Sequence, residues 1–198
     1  MIRLGVLGST NGTDLQVILE SVKAKKINAI VNVVISNKKN AYILKRGQNH
    51  GLPSIFINHN DKKRESFDSE LTSTLEKYNV ELILLIGFMR ILSSNFCKRW
   101  RHKIINVHPS LLPKYSGGMD MNIHEQVIKN GDKESGCTIH FVTEELDNGP
   151  ILIQKKCKVN TNETPETLKV KVQRLEGIAF IEAINQIEKE NQIKDYNG

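Results

Sequence analysis

Leu82-Ile83-Leu84-Leu85-Ile86 carries no polar position on either face. Side chains along a strand alternate between the two faces of a sheet. A run apolar at every position therefore fits a central parallel strand covered on both sides. Upstream, the pattern alternates between strand and helix. Ile2 to Leu7 and Ile30 to Ile35 read as strands, and Ser54 to Ile57 as a short one. Leu15, Ile18, Leu19 and Val22 recur at helical spacing, as do Phe67, Leu71, Leu75 and Tyr78. A weaker helix is expected over Ala41 to His50, with Gly51 as its stop. Strands alternating with helices predict an α/β domain with a mainly parallel sheet.

Downstream of the central run, Ser93 or Ser94 is expected to cap a short helix ending near Arg101. Ile104 and Ile105 read as a strand ending at Asn106, and Pro109 to Asn122 as a loop. Cys137 to Val142 and Ile151 to Val159 read as two further strands. Thr164 and Pro165 supply an N-cap and first helical residue. Leu168, Val172, Leu175, Ala179 and Ala183 continue as a helical stripe. One domain is expected over 1–190, with a polar tail at 191–198.

With 198 residues, 39% of them hydrophobic and 25% charged, the chain suits one globular domain. No apolar run is long enough to span a bilayer. The opening Met1 to Val6 is interrupted too soon to be a secretion signal, so a cytoplasmic protein is expected. Cys97, Cys137 and Cys157 form no CxxC pair and read as free thiols. The net charge of +6 is scattered, and its densest stretch, Lys98 to Lys103, reads as a solvated helix end. No nucleic-acid partner is expected.

Ligands in such sheets bind outside the carboxyl ends of the strands. Three unusual segments fall there: the turn after Leu7, Gly87-Phe88-Met89-Arg90, and Asn106-Val107-His108. Gly8-Ser9-Thr10-Asn11-Gly12-Thr13-Asp14 joins a strand to a helix, where backbone N–H groups favour an anion. Thr13 and Asp14 serve equally well as plain N-caps, and Asp14 is an odd neighbour for a phosphate. Neither GxGxxG nor a P-loop is present. Asn106 and His108, two apart, should share a face, pairing an amide donor with an imidazole able to move a proton. Asp147, in the turn Glu144 to Pro150, matters only if the fold carries it to His108, where it would raise the histidine pKa. His124-Glu125 lacks the second histidine of HExxH, so no metal is expected.

Gly87-Phe88-Met89-Arg90-Ile91-Leu92 and Asn106-Val107-His108-Pro109-Ser110-Leu111-Leu112-Pro113 resemble the folate-dependent formyltransferases over nearly the whole chain. The resemblance implies a Rossmann-like sheet with helices on both faces. It implies 10-formyltetrahydrofolate as donor co-substrate and, from length and first turn, glycinamide ribonucleotide of purine synthesis as acceptor. It assigns Asn106, His108 and Asp147 to catalysis, and Gly12, Thr13, Asp14 and Glu176 to the acceptor. Arg64, Met89, Arg90, Ile91, Leu92, Thr143, Glu144, Glu145 and Leu146 fall to the folate. Asp14 stands where bacterial members often have Asn, and Thr10 and Gly177 replace a common Gly and His. A formyltransferase acting on methionyl-tRNA, a formyltetrahydrofolate hydrolase and a silent ligand-binding module are the alternatives. The resemblance leaves a homodimer open.

Overall fold

The computed structural model describes residues 1–118 and 121–196, with side chains to residue 190. The end of the tail expected at 191–198 lies outside them. The elements are β1 (Ile2–Leu7), α1 (Thr13–Lys23), β2 (Ala29–Ser36), α2 (Tyr42–Asn49), β3 (Ser54–Phe56), α3 (Arg64–Lys77), β4 (Leu82–Leu85), α4 (Ser94–Arg99), β5 (Ile104–His108), α5 (Met121–Lys129), β6 (Glu134–Phe141), β7 (Ile151–Lys158) and α6 (Pro165–Tyr196). Seven strands form one sheet in the order β3-β2-β1-β4-β5-β6-β7. The first five run parallel, and β6 and β7 are antiparallel to their neighbours.

The expected central run is β4, paired with β1 and β5 and buried along its length. Its alternation divides the core. Leu82, Leu84 and Ile86 pack with α1, α5 and α6 residues such as Leu15, Ile18, Ile123 and Phe180. Ile83 and Leu85 pack on the other face with Phe67, Leu71, Leu75 and Phe96 of α3 and α4. Apolar burial of this kind, at about 25 cal/mol per Å², is the main force holding both layers to the sheet. At Gly177 a Cβ would come within 2.9 Å of Val17 Cγ1, so the absent side chain lets α6 approach α1 closely.

Ser93, not Ser94, caps α4, its Oγ accepting from Phe96 N at 3.3 Å while its own N–H donates to Asp68 Oδ2 at 2.6 Å. A cap of this type contributes about 1 kcal/mol. At α6, Thr164 Oγ1 accepts from Thr167 N at 3.3 Å as expected. Two boundaries differ from the sequence reading. β5 continues past Asn106 to His108 because β6 pairs with it as far as Thr138. The expected loop ends before Asn122, since α5 begins at Met121. Buried Ile123 and Val127, one turn apart, secure that helix against the core.

Candidate active site

The strand order reverses between β1 and β4. β1 leads into α1 on one face of the sheet, and β4 leads toward α4 on the other. A switch of this kind opens a crevice at the strands' carboxyl ends. Here it holds two cavities, of about 450 Å³ and about 430 Å³, that among the described residues share only Gly87, Val107 and Pro109 in their linings. Ser9 N donates to Gly87 O at 3.0 Å and Ser9 Oγ accepts from Met89 N at 2.8 Å, tying the β1 turn to the β4 turn between them.

The end of β5 forms the crest. Asn106 and His108 both line the larger cavity, so the expected shared face is present, while Val107 reaches both cavities. The loop between β6 and β7 brings Asp147 onto the same point. His108 Nδ1 lies 3.4 Å from Asp147 Oδ2, with both side chains buried. Asp147 holds a left-handed backbone (φ 52°), which a short polar side chain tolerates better than most, and its Oδ2 accepts from Gly117 N at 2.8 Å.

Hydrogen-bond geometry fixes the ring states. His108 Nε2 lies 3.0 Å from the Tyr115 carbonyl, which only accepts, so Nε2 carries a hydrogen. Nδ1 faces a carboxylate, which favours a second proton there. Burial nevertheless pushes the His108 pKa below its ordinary value, with Asp147 and the Tyr115 carbonyl opposing that shift. The expectation of a raised value is therefore corrected: Asp147 acts in the expected direction, but desolvation is larger.

His140 completes the cluster and was not singled out in the sequence. It lies opposite Asn106 in the β5–β6 register. Its Nδ1 donates to Phe141 O at 2.9 Å, so in the neutral ring Nε2 accepts from Asn106 Nδ2 at 3.2 Å. Burial lowers its pKa too, against the Phe141 carbonyl and Asp147, and this favours that neutral tautomer. One Asn106 amide hydrogen is thereby committed, and the other remains for a ligand. Asp147 Oδ1 lies 3.6 Å from His140 Nε2, so one carboxylate stands between two imidazoles. The available signal was Thr138 and His140 at alternate positions in the otherwise apolar run Cys137 to Val142, both buried.

Met89, Arg90, Ile91 and Leu92 form one wall of the larger cavity, and Thr143, Glu144, Glu145 and Leu146 the facing loop. Met89, Ile91 and Leu146 are exposed large apolar side chains. The Arg90 guanidinium lies 4.5 Å above the Phe67 ring. Arg64 lies exposed at the start of α3, outside the lining. Cys97 reaches this cavity, but burial, then Glu144 and Asp68, raise its thiol to about 11, so it stays neutral.

The smaller cavity sits at the start of α1. Gly12, in a left-handed conformation, is the N-cap, and no side chain caps the helix. Thr13 and Asp14 thus do not serve as caps. Both line the cavity with Gly12, facing Glu176 of α6 and His124 of α5. Asp14 and Glu176 are both buried. Among the described residues no group of three or more His, Cys, Asp or Glu is placed to hold a metal, and no helix is long and apolar enough to cross a membrane.

Residues 2–184 match the formyl transferase family. The chain is 40% identical over 185 residues to the trifunctional purine biosynthetic protein adenosine-3 of Drosophila melanogaster, covering 92% of this chain but only 14% of that protein. It is 40% identical to the phosphoribosylglycinamide formyltransferase of Escherichia coli strain K12, over 88% of this chain and 82% of that one. The structure is similar to glycinamide ribonucleotide transformylase 1 from Symbiobacterium toebii, with a TM-score of 0.91, 36% identity and 96% and 89% of the two chains covered.

Proposed function

Because the chain belongs to the formyl transferase family, we propose that it catalyses the phosphoribosylglycinamide formyltransferase reaction in the cytoplasm. The formyl group of 10-formyltetrahydrofolate passes to the glycinamide amine of glycinamide ribonucleotide. The observation that carries this reading is the meeting of two cavities at Gly87, Val107 and Pro109, with Asn106 and His108 flanking Val107 on the larger side. A two-substrate transfer needs both partners held with their reacting atoms together, and a shared crest does that.

The larger cavity fits the folate. Its volume lies within the roughly 300–1,000 Å³ usual for small-molecule sites. Leu85, Phe88, Leu92 and Val142 give it apolar walls, with polar side chains at the crest, at His140, at Arg90 and in the 143–147 loop. The bound folate supplies the formyl carbon. The smaller cavity takes the ribonucleotide, its phosphate at the α1 N-terminus.

As the amine nitrogen bonds to the formyl carbon, negative charge gathers on the formyl oxygen. In this reading the uncommitted Asn106 amide hydrogen donates to that oxygen and stabilises it. His108 adds a second donor when its Nε2–H passes from the Tyr115 carbonyl to that oxygen. Asp147 favours the protonated ring and relays the amine's proton, through water, toward the departing folate nitrogen. The C–N bond to folate then breaks.

The test is tetrahydrofolate release from 10-formyltetrahydrofolate, with glycinamide ribonucleotide, buffer or methionyl-tRNA offered in parallel. Release that requires the ribonucleotide is expected. Release with tRNA alone, or without any acceptor, would replace the acceptor assignment. Folate binding with no release would leave a binding module instead.

A further inference from the structure

Asp14 occupies the first turn of α1, where the N–H groups and helix dipole draw an anion. Yet it is an acid, only 5% exposed, and among the described residues its Oδ1 has no hydrogen-bond partner. It lines the smaller cavity, and no side chain caps the helix there. An ionised carboxylate in this place would repel a phosphate and would itself be poorly solvated. A proton on Asp14 removes both conflicts, because a neutral carboxyl donates a hydrogen bond.

We propose that Asp14 works as a neutral acid whose O–H donates to the phosphate of the acceptor, so that the phosphorylated acceptor binds together with one proton held between them. This rests on the acceptor reading above and names the residue that would set its pH dependence.

The surroundings bear on that proton. Glu176 and Lys169 of α6 and His124 of α5 line the same cavity. Cys137 of β6 lies within electrostatic reach of both carboxyls, which help burial keep its thiol neutral. From α2, Arg46 Nε donates to Asn11 O at 3.1 Å, next to the turn. Of these, Glu176 disfavours a second negative charge, and Lys169 and Arg46 favour it. Burial decides the balance, pushing the Asp14 carboxyl from the ordinary carboxylate range up to about 7.

The experiment compares KM for glycinamide ribonucleotide between pH 6 and 9 in the wild type and Asp14→Asn, whose amide donates at every pH. Ionisations of the ribonucleotide itself cancel in the ratio. That ratio, wild type over variant, should be flat below about pH 7 and rise roughly tenfold per pH unit above it. A constant ratio overturns the proposal. A falling ratio also overturns it, since it would mean that ionised Asp14 holds the acceptor's ammonium.

Should the variant not fold, calorimetry on the wild type with ribose 5-phosphate, in buffers of different ionisation enthalpy, tests the same point. This probe has no amine, and its phosphate is fully ionised at pH 8. Uptake approaching one proton per ligand is expected at pH 8. No uptake, or no binding even at pH 6.5, overturns the proposal. Formyl transfer at pH 6.5 tests the acceptor reading separately: proton-linked binding without transfer would remove that reading and keep the phosphate site.

Discussion

The Asp147 carboxylate stands between two buried imidazoles, 3.4 Å from His108 Nδ1 and 3.6 Å from His140 Nε2. One group thus opposes the desolvation of both rings. For His108 it is the larger of two opposing influences, ahead of the Tyr115 carbonyl.

Asp147→Asn should separate that charge from the shape of the site. Without the carboxylate, burial acts on His108 less opposed, and its pKa falls further below the ordinary histidine value. If protonated His108 is the acting form, the alkaline limb of the pH–rate profile moves to lower pH. The rate at pH 7.5 should fall roughly 10- to 100-fold. A pH–rate profile measured under saturating substrates checks this, and an unchanged rate and profile would remove the coupling.

His108→Ala should lower turnover by about 10²- to 10⁴-fold, the range typical of a positioned acid–base group. Folate affinity should change little, because the 85–92 and 142–146 walls remain. Folate titration followed by fluorescence, beside the turnover assay, checks both parts. Near wild-type turnover would sink the role given to this ring.

Much of the fold could be read from local pattern, since β4 shows its double burial in five consecutive residues and α1, α3 and α6 show their stripes. The pairing of Asn106 with His108 was equally local, a matter of strand alternation. His140 was not, because its position depends on antiparallel register between β5 and β6, which no short stretch encodes. The net direction of the His108 shift was also hidden, because desolvation depends on everything packed around the ring. Arg64 shows the converse: it fits the family resemblance, but the start of α3 leaves it outside the cavity lining.

Asp14→Asn should stabilise the ligand-free protein, and more so at high pH. The folded-state value near 7 lies above the ordinary 3.8. Between those values the folded chain holds a proton that the unfolded chain lacks, so stability falls as pH rises through that window. Above about pH 7 the full cost of a buried carboxylate with one unpartnered oxygen is present. Replacing it by an amide should recover on the order of 2 kcal/mol at pH 8. At roughly 2–4 °C per kcal/mol for a chain of this size, thermal melts resolve the effect. The gain should shrink at pH 5. An equal Tm difference at both pH values would mean that Asp14 does not titrate in this window.

Gly149 sets the path by which Asp147 reaches the histidines. Phe141 N donates to Pro150 O at 2.9 Å, closing the base of the loop that carries Asp147. Inside that closure a Cβ on Gly149 would lie 1.8 Å from Phe141 O and 2.8 Å from Phe141 C. Those atoms are backbone and belong to the end of β6, so they cannot rotate aside, and the loop must move instead. Gly149→Ala should therefore shift Asp147 away from both rings and widen the cavity on its 143–147 side. Turnover should fall about tenfold or more, since displacements near 1 Å are enough to cost that much. The folate KM should rise with it, and the Tm should drop by a few degrees. Asn148→Ala, at the exposed neighbouring position, removes only the exposed bond that Asn148 Nδ2 donates to Glu145 and no close backbone contact, and it serves as the control, with turnover within about twofold of wild type. If Gly149→Ala matched that control in turnover and KM, the loop would not depend on this close approach to place its carboxylate.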